Sequence, residues 1–447
     1  MSFPRYPEYK DSGVEWLGNV PDHWEVVRVR WLCEIKKRIV GELGFDVLSI
    51  TQRGIRIKDT ESNDGQLSMD YSKYQLVEVG DFAMNHMDLL TGYVDISPVQ
   101  GVTSPDYRVF SLRNPVRCHA KFFLYLFQNG YLNKVFYPFG QGSSQLGRWR
   151  LPTEQFNDFW FPVPSFEEQS AIATFLDRET AKIDALVAEQ EKLIALLQEK
   201  RQAVISHAVT KGLDPNVPMK DSGVEWLGEV PGHWEVSPLK FLARVGNGST
   251  PNRDNPHYWA EDGFPWLNSS VVNQSEVTEA ERFVTPTALK ECHLPIIEPP
   301  AVLVGITGQG KTRGMAAPLT FTATVNQHVA YIKPTQDRLG VDFLLRVLEA
   351  AYVHLRTESE GVGSTKGAIT CEQLGAWRMP IPALREQSEI VSFLDRETAK
   401  LDTLMTEART AIALLQERRT ALISAAVTGQ IDVRGLTDSA NAPDLIA

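Results

Sequence analysis

Three stretches of the chain carry residue types at spacings that could do chemistry. Gly305, Gly310, Lys311 and Thr312 satisfy the phosphate-loop pattern G-x-x-x-x-G-K-T, and the run AVLV before them could be the strand that pattern requires. A phosphate cradle also needs a helix directly afterwards, whose N-terminal N–H groups and dipole hold the anion. Gly314 and Pro318 interrupt the next stretch and LTFTATV alternates as a strand does, so a Gly-rich turn between strands is expected instead. Asn255, Pro256, His257 and Tyr258 approximate the N-P-P-Y loop that grips an extruded adenine. The third residue is wrong, however, and no Gly-rich strand-to-helix turn for a methyl donor accompanies it. Asp22 with Glu34 and Lys36 imitates a metal-dependent nuclease set, but a second copy of the phrase holds Gly232 in place of Asp22, which marks framework rather than a ligand. The nine histidines are scattered, and Cys33, Cys118, Cys292 and Cys371 lack metal-ligand spacing. No catalytic residue, bound cofactor or metal is expected, and the cysteines read as reduced and mostly buried.

The second copy is part of a larger pattern. DSGVEWLGNVPDHWEV at 11 to 26 recurs as DSGVEWLGEVPGHWEV at 221 to 236, differing only at Asn19/Glu229 and Asp22/Gly232. FLDRETAKID at 175 to 184 recurs as FLDRETAKLD at 393 to 402, and ALLQEKRQAVISHAVT at 195 to 210 as ALLQERRTALISAAVT at 413 to 428. The first pair is offset by 210 residues and the others by 218, so the chain is a tandem duplication whose divergent stretch is eight residues longer in the second copy. A constant frame around two divergent inserts implies one task performed on two targets.

At 447 residues with 43% hydrophobic content, the chain can bury real cores. A formal charge of −11 argues against a protein that coats polyanions by itself, so contact with DNA would need local basic patches or a partner. No apolar run is long enough to cross a bilayer and MSFPRYPEYK lacks a signal-peptide core, which leads to the expectation of a cytoplasmic protein. Each insert has strand and turn texture, as in FDVLSI, YRVFSL, AVLVGI and HVAYI, with helical patches AKFFLYLFQNG and DFLLRVLEAAYVHL between. The expected fold class is α+β: two mixed α/β recognition globules joined by two long antiparallel helices in a coiled-coil-like spacer, with pseudo-twofold character from the duplication.

The helices announce themselves after Pro162 and Pro164, where Ser165 and Glu168 form a capping box. Apolar side chains then recur at Ile172, Leu176, Ile183, Leu186, Leu193, Leu197 and Val204, and in the second copy at Ile390, Leu394, Leu401, Leu404, Leu415 and Leu422. Forty residues at about 1.5 Å each give a helix of roughly 60 Å with a stripe for a partner helix. Ala383 stands at the second cap position, so that helix should fray more. Glu179 and Gln190 interrupt the stripe, which leaves docking of each helix on its own globule as the alternative. If the helices pair, a short linker makes them antiparallel and puts the globules at opposite ends of a rod. The expected partition is 1–164, first recognition domain; 165–208, first helix; 209–220, linker; 221–382, second recognition domain; 383–428, second helix; 429–447, disordered tail.

At the helix boundaries, PVPSFEEQSAIATFLDRETAKID and PIPALREQSEIVSFLDRETAKLD resemble the helical spacers of the specificity subunit of type I restriction-modification systems. GDFAMNHMD and TSPDYRVF in the first insert, and GNGSTPNR, GFPWLN, TVNQHVAYI and GSTKGAI in the second, are similar to that family's target recognition domains. The resemblance covers nearly the whole chain. It implies a noncatalytic reader: each domain binds one half of a split, asymmetric site on double-stranded DNA, and the paired helices set the gap. Two methyltransferase (modification) subunits carrying S-adenosylmethionine would dock on the helices, and restriction/translocase subunits using ATP and Mg would join them. A modification-only complex, or one built with a fused nuclease-methyltransferase, is the alternative. Base-edge readout favours Arg on guanine and Asn or Gln on adenine. The candidate DNA-binding residues are therefore Arg53, Arg56, Lys58, Gln141, Ser143, Ser144, Gln145 and Arg148 in the first domain. In the second they are Ser249, Thr250, Arg253, Lys311, Arg313, Ser364 and Lys366. Asn326 and Gln327 lie inside a strand pattern and read as structural.

Overall fold

The computed structural model describes residues 3–59, 71–142, 149–308, 310–335, 337–360 and 367–436. The chain divides into two compact units, Met1–Glu191 with Thr410–Ala447, and Lys192–Arg409. Each unit therefore takes one recognition globule and a part of both long helices, whereas a partition by sequence order assigns globules and helices to separate segments.

The repeated phrases build the same frame in each unit. Trp16 stacks on Phe159 with ring centroids 5.5 Å apart, and its duplicate Trp226 stacks on Trp377 at 4.8 Å. Trp24 is fully buried and donates its indole N–H to Glu168 Oε1 at 3.0 Å; Trp234 does the same to Glu386 at 3.0 Å. Glu25–Arg28 pairs antiparallel with Trp160–Val163, and Glu235–Pro238 with Arg378–Ile381. The glutamine next to each glutamate is saturated in the same way. The Gln169 side-chain amide donates to the carbonyls of Pro164 and Arg117 and accepts from the His119 N–H, while Gln387 donates to Pro382 and Arg338 and accepts from Gly340. A buried amide with all these bonds made fixes where the helix leaves its globule.

Around the frame, each globule holds an antiparallel four-stranded sheet of the same topology. The first runs in spatial order Cys33–Lys36, Arg108–Leu112, Phe82–Met84, Val94–Ile96, and the second Ala243–Asn247, Val329–Pro334, Ala301–Gly305, Ala316–Leu319. A helix packs on each, Ala120–Leu132 and Val341–Ala350, so both globules are α+β. The inserts diverge beyond this sheet. The first adds the hairpin Leu48–Thr51/Gly54–Ile57 and the pair Gln75–Val77/Gly101–Thr103. The second adds a mixed sheet of Trp259–Ala260, Arg282–Val284, Phe264–Leu267 and Thr324–Val325, which absorbs its extra length.

The long helices span Phe166–Lys211 and Leu384–Val427. Ser165 caps the first by accepting from the Glu168 N–H at 3.2 Å, but the expected capping box is only half formed because the Glu168 carboxylate is taken by Tyr6, His23 and Trp24. Within the first unit, Glu168 at the start of one helix and Gly429 just past the end of the other both meet Trp24, while Arg419 pairs with Asp184 at 2.9 Å. Within the second, Glu386 and Gly212 both meet Trp234, while Arg201 pairs with Asp402 at 3.2 Å. In each unit the helical segments are antiparallel. Pairing and docking both occur: Ile172, Leu176, Ile390 and Leu394 enter the globule cores, and Leu197, Leu401 and Met405 form a separate helix-to-helix cluster.

Three stripe positions need correction. Leu193 and Leu404 are 42% and 47% exposed, and Leu186 is half-buried. The inward register runs in alternating steps of four and three through Leu176, Thr180, Ile183, Val187, Gln190, Ile194, Leu197, Arg201 and Val204, and from Leu394 through Thr398, Leu401, Met405, Ala408, Ile412, Leu415, Arg419 and Leu422. Polar residues occupy five of these positions, and their polarity disguised the heptad. The tail also needs correction over its first part. Gly429 sits in the left-handed region at φ 76° against Trp24, and Ile431 and Val433 are buried in the first core, so the chain from 429 to 436 is packed; 437–447 lies outside the described residues.

Candidate DNA-reading surfaces

In the first unit the tight turn between Leu48–Thr51 and Gly54–Ile57 presents Arg53 and Arg56 to solvent, with Lys58 half-buried just beyond. None of these three cations makes an ion pair among the described residues. Gln141 is exposed and forms a two-bond bridge with Arg150, so these residues close the base of a loop. Ser143, Ser144, Gln145 and Arg148 fall between these two positions and lie outside the described residues. The loop's end is tied to the segment after Phe82–Met84 by Leu151 N–H to His86 O at 2.9 Å and Leu89 N–H to Trp149 O at 3.0 Å.

The second unit repeats this arrangement with other chemistry. The loop holding Ser364 and Lys366 lies outside the described residues, but its end is bonded through Ile369 N–H to Ile306 O at 2.8 Å, and Thr307 bridges Ala368. Thr250 donates to Gln327 Oε1 at 2.6 Å, Gln327 meets His328 at 3.2 Å, and Thr307 meets His328 Nδ1 at 2.8 Å. Gln327 is exposed in a turn between strands, so it joins this polar surface; Asn326 is buried and accepts from the His328 N–H, the structural role its pattern suggested. Ser249 reaches Cys292 O at 3.4 Å and receives the Trp266 indole N–H on its carbonyl, while Arg253 is exposed beside Trp259 and Arg282. Lys311 is exposed on the hairpin. Arg313 differs from the other candidates: it is buried, and a Cβ on Gly367 would stand 1.6 Å from its Nη1, so its guanidinium lies against the Gly367 backbone instead of at the surface.

Sequence reading missed one group. Arg108 opens the strand Arg108–Leu112, is 3% exposed, and lies near His86 and Arg150 around a cavity with Lys36 and Lys37. The available signal was a lone arginine beginning an otherwise apolar strand.

The alternative chemistries are not assembled. Gly305 to Met315 is a hairpin connection: Gly305 N–H bonds Met315 O at 2.9 Å, Gly314 N–H bonds Gly305 O at 2.7 Å, and the chain returns as the antiparallel strand Ala316–Leu319. Without a helix at that point, no dipole or fan of N–H groups faces a phosphate. Asn255 to Tyr258 is a turn in which Asn255 accepts from the His257 N–H and Tyr258 donates to Glu291. Glu34 is spent on Lys36 at 2.5 Å, and among the described residues no three His, Cys, Asp or Glu side chains gather to hold a metal. No helix among them is long and apolar enough to cross a membrane.

Two copies of one family model, the type I restriction modification DNA specificity domain, match residues 21–195 and 231–413. The chain belongs to that family. The two matches begin 210 residues apart and end 218 apart, the offsets of the internal repeats. Among relatives of this specificity family, the type I restriction enzyme MjaVIII specificity subunit of Methanocaldococcus jannaschii is 21% identical over 435 residues, covering 93% of this chain and 95% of the other. The EcoR124I/EcoR124II specificity subunit of Escherichia coli is 25% identical over 248 residues, 54% of each. A solved chain from work on complex assembly and conformational transition of the type I R-M system has the same fold, with TM-score 0.67 at 14% identity over 91% of this chain and 98% of that one.

Proposed function

We propose that this chain is the DNA-recognition subunit of a type I restriction-modification assembly and has no catalytic site of its own. Each unit reads one half of a split, asymmetric site on double-stranded DNA, and the long helices set the gap and dock methyltransferase subunits. The observation that carries this reading is the contrast between frame and insert. Equivalent Trp, Glu and Gln contacts build both frames, while the first unit exposes the cations Arg53, Arg56 and Arg150 and the second an amide, imidazole and hydroxyl surface of Gln327, His328 and Thr307. Two surfaces of different chemistry on one frame are suited to two different half-sites.

In this reading S-adenosylmethionine is held by the methyltransferase subunits, and ATP and Mg by restriction subunits, all acting in the cytoplasm. The acidity of the chain fits such an assembly, because partners can supply phosphate contacts while this chain supplies base contacts. The test is an exchange. A chain in which residues 33–158 replace the second insert is expected to direct methylation to a motif whose two halves are the same half-site. Methylation that keeps the original motif would contradict the reading.

A further inference from the structure

The first unit holds a cavity of about 250 Å³ whose lining includes Lys36, Lys37, His86, Asp106, Arg108 and Arg150. Its rim is fixed. The buried amide of Gln75 donates to Ser104 O at 2.9 Å and Tyr107 O at 2.6 Å, pinning the loop that precedes Arg108. The Arg108 guanidinium packs over the Phe156 ring at 4.4 Å and donates through Nη2 to Leu151 O at 3.1 Å and Thr153 Oγ1 at 3.4 Å, but among the described residues its Nη1 has no partner and no carboxylate is paired with it. Burial lowers its pKa only to about 10, so it stays charged at neutral pH. An uncompensated buried cation is costly, and an arriving anion would offset that cost.

The surroundings favour an anion as well. Burial, then the Arg108 charge, pushes His86 down to about 3, so the imidazole is neutral, and its Nδ1 is likewise without a partner. Lys37 and Arg150 are exposed at the mouth and make no ion pair among the described residues; Lys36 is held by Glu34, and Asp106 is the one carboxylate in the lining. The second unit lacks this chemistry. Val329 opens the strand there, opposite Gly305, as Arg108 opens its strand opposite Met84. Since Nη2 gives its two N–H groups to Leu151 O and Thr153 Oγ1, Arg108 has no free two-pronged edge for guanine at that nitrogen, which favours a phosphate oxygen over a base.

We propose that this cavity binds one phosphodiester of the DNA backbone, with Arg108 and Arg150 contacting it and Lys37 at its mouth, anchoring the first half-site by a contact the second lacks. The proposal rests on the DNA-reading role, so its test has an arm independent of DNA. Inorganic phosphate is expected to raise the melting temperature of the wild-type full chain and to raise it less in Arg150→Ala, Lys37→Ala and Arg108→Met. Equal shifts in wild type and in the two surface variants, which keep the core intact, would overturn the site whatever the chain does with DNA. In the second arm, the chain with its methyltransferase binds duplexes carrying its methylation motif across a salt series. Arg150→Ala is expected to weaken all duplexes alike and to flatten the slope of log K against log salt by about 0.9. An unchanged slope, or a loss confined to one base pair, would overturn the phosphodiester assignment. A wild-type complex that binds no DNA would refute the functional reading and leave the phosphate arm to decide the anion site.

Discussion

Replacing Glu168 by Ala should cost the first unit more than the equivalent Glu386→Ala costs the second. Glu168 is 4% exposed and accepts from Tyr6 Oη at 2.6 Å, Trp24 Nε1 at 3.0 Å and His23 Nε2 at 2.9 Å. Glu386 is 26% exposed at its side chain and, among the described residues, accepts from Trp234 and His233 alone. Hydrogen bonds to a charged group contribute about 1.5–3 kcal/mol, and a buried donor left unsatisfied costs about 1–3 kcal/mol. Two buried donors, Tyr6 and Trp24, are orphaned by Glu168→Ala, giving about 3–5 kcal/mol; one buried donor, Trp234, is orphaned by Glu386→Ala, giving about 1.5–3 kcal/mol. Because two units need not melt together, the assay is native-state hydrogen exchange followed separately on peptides of each unit. The expected result is a loss of protection centred on Trp24 and 166–176 that exceeds the loss around Trp234 and 384–394. Equal losses, or a larger one in the second unit, would refute the claim that these glutamates lock the helix starts.

Other consequences follow from the helices and the hairpin. Met405→Ala should destabilise the second unit by about 2–4 kcal/mol, whereas Leu404→Ala should stay within about 0.5 kcal/mol, read by denaturant unfolding; the reverse order would show that the inward register is misplaced. Lys311→Ala should leave thermal stability in millimolar ATP and Mg the same as wild type, because a hairpin offers no phosphate cradle; a nucleotide-dependent rise lost in the variant would restore the phosphate-loop reading. Inserting one heptad into each long helix adds about 10 Å at 1.5 Å per residue. At about 3.4 Å per base pair, that should widen the preferred gap between half-sites by about three base pairs in a methylation map. An unchanged gap would remove the helices from their measuring role.

Much of this was legible in the sequence because the duplication acts as an internal control. Positions kept in both copies, such as Trp16, Trp24, Glu168 and Gln169, turned out to bond framework to framework. The strand FDVLSI, the helix AKFFLYLFQNG and the hairpin at Gly305 followed from period and turn chemistry. The inward register of the helices was less legible, because Thr180, Gln190, Arg201 and Arg419 hold positions that a search for leucines passes over, and Leu193 and Leu404 lie one step off the line. Buried charge was the other blind spot. Arg313 and Arg108 look alike as letters, yet one is buried against Gly367 and the other lines a cavity, a difference set by tertiary neighbours.

If this chain chooses the DNA sequence, methylation must depend on it. The direct measurement is to coexpress it with the methyltransferase encoded beside it and to map methylated adenines across the genome by single-molecule sequencing, with and without this chain. One split, asymmetric motif that disappears when the chain is omitted is the predicted result; the same methylation in its absence, with the methyltransferase verified active, would contradict the account.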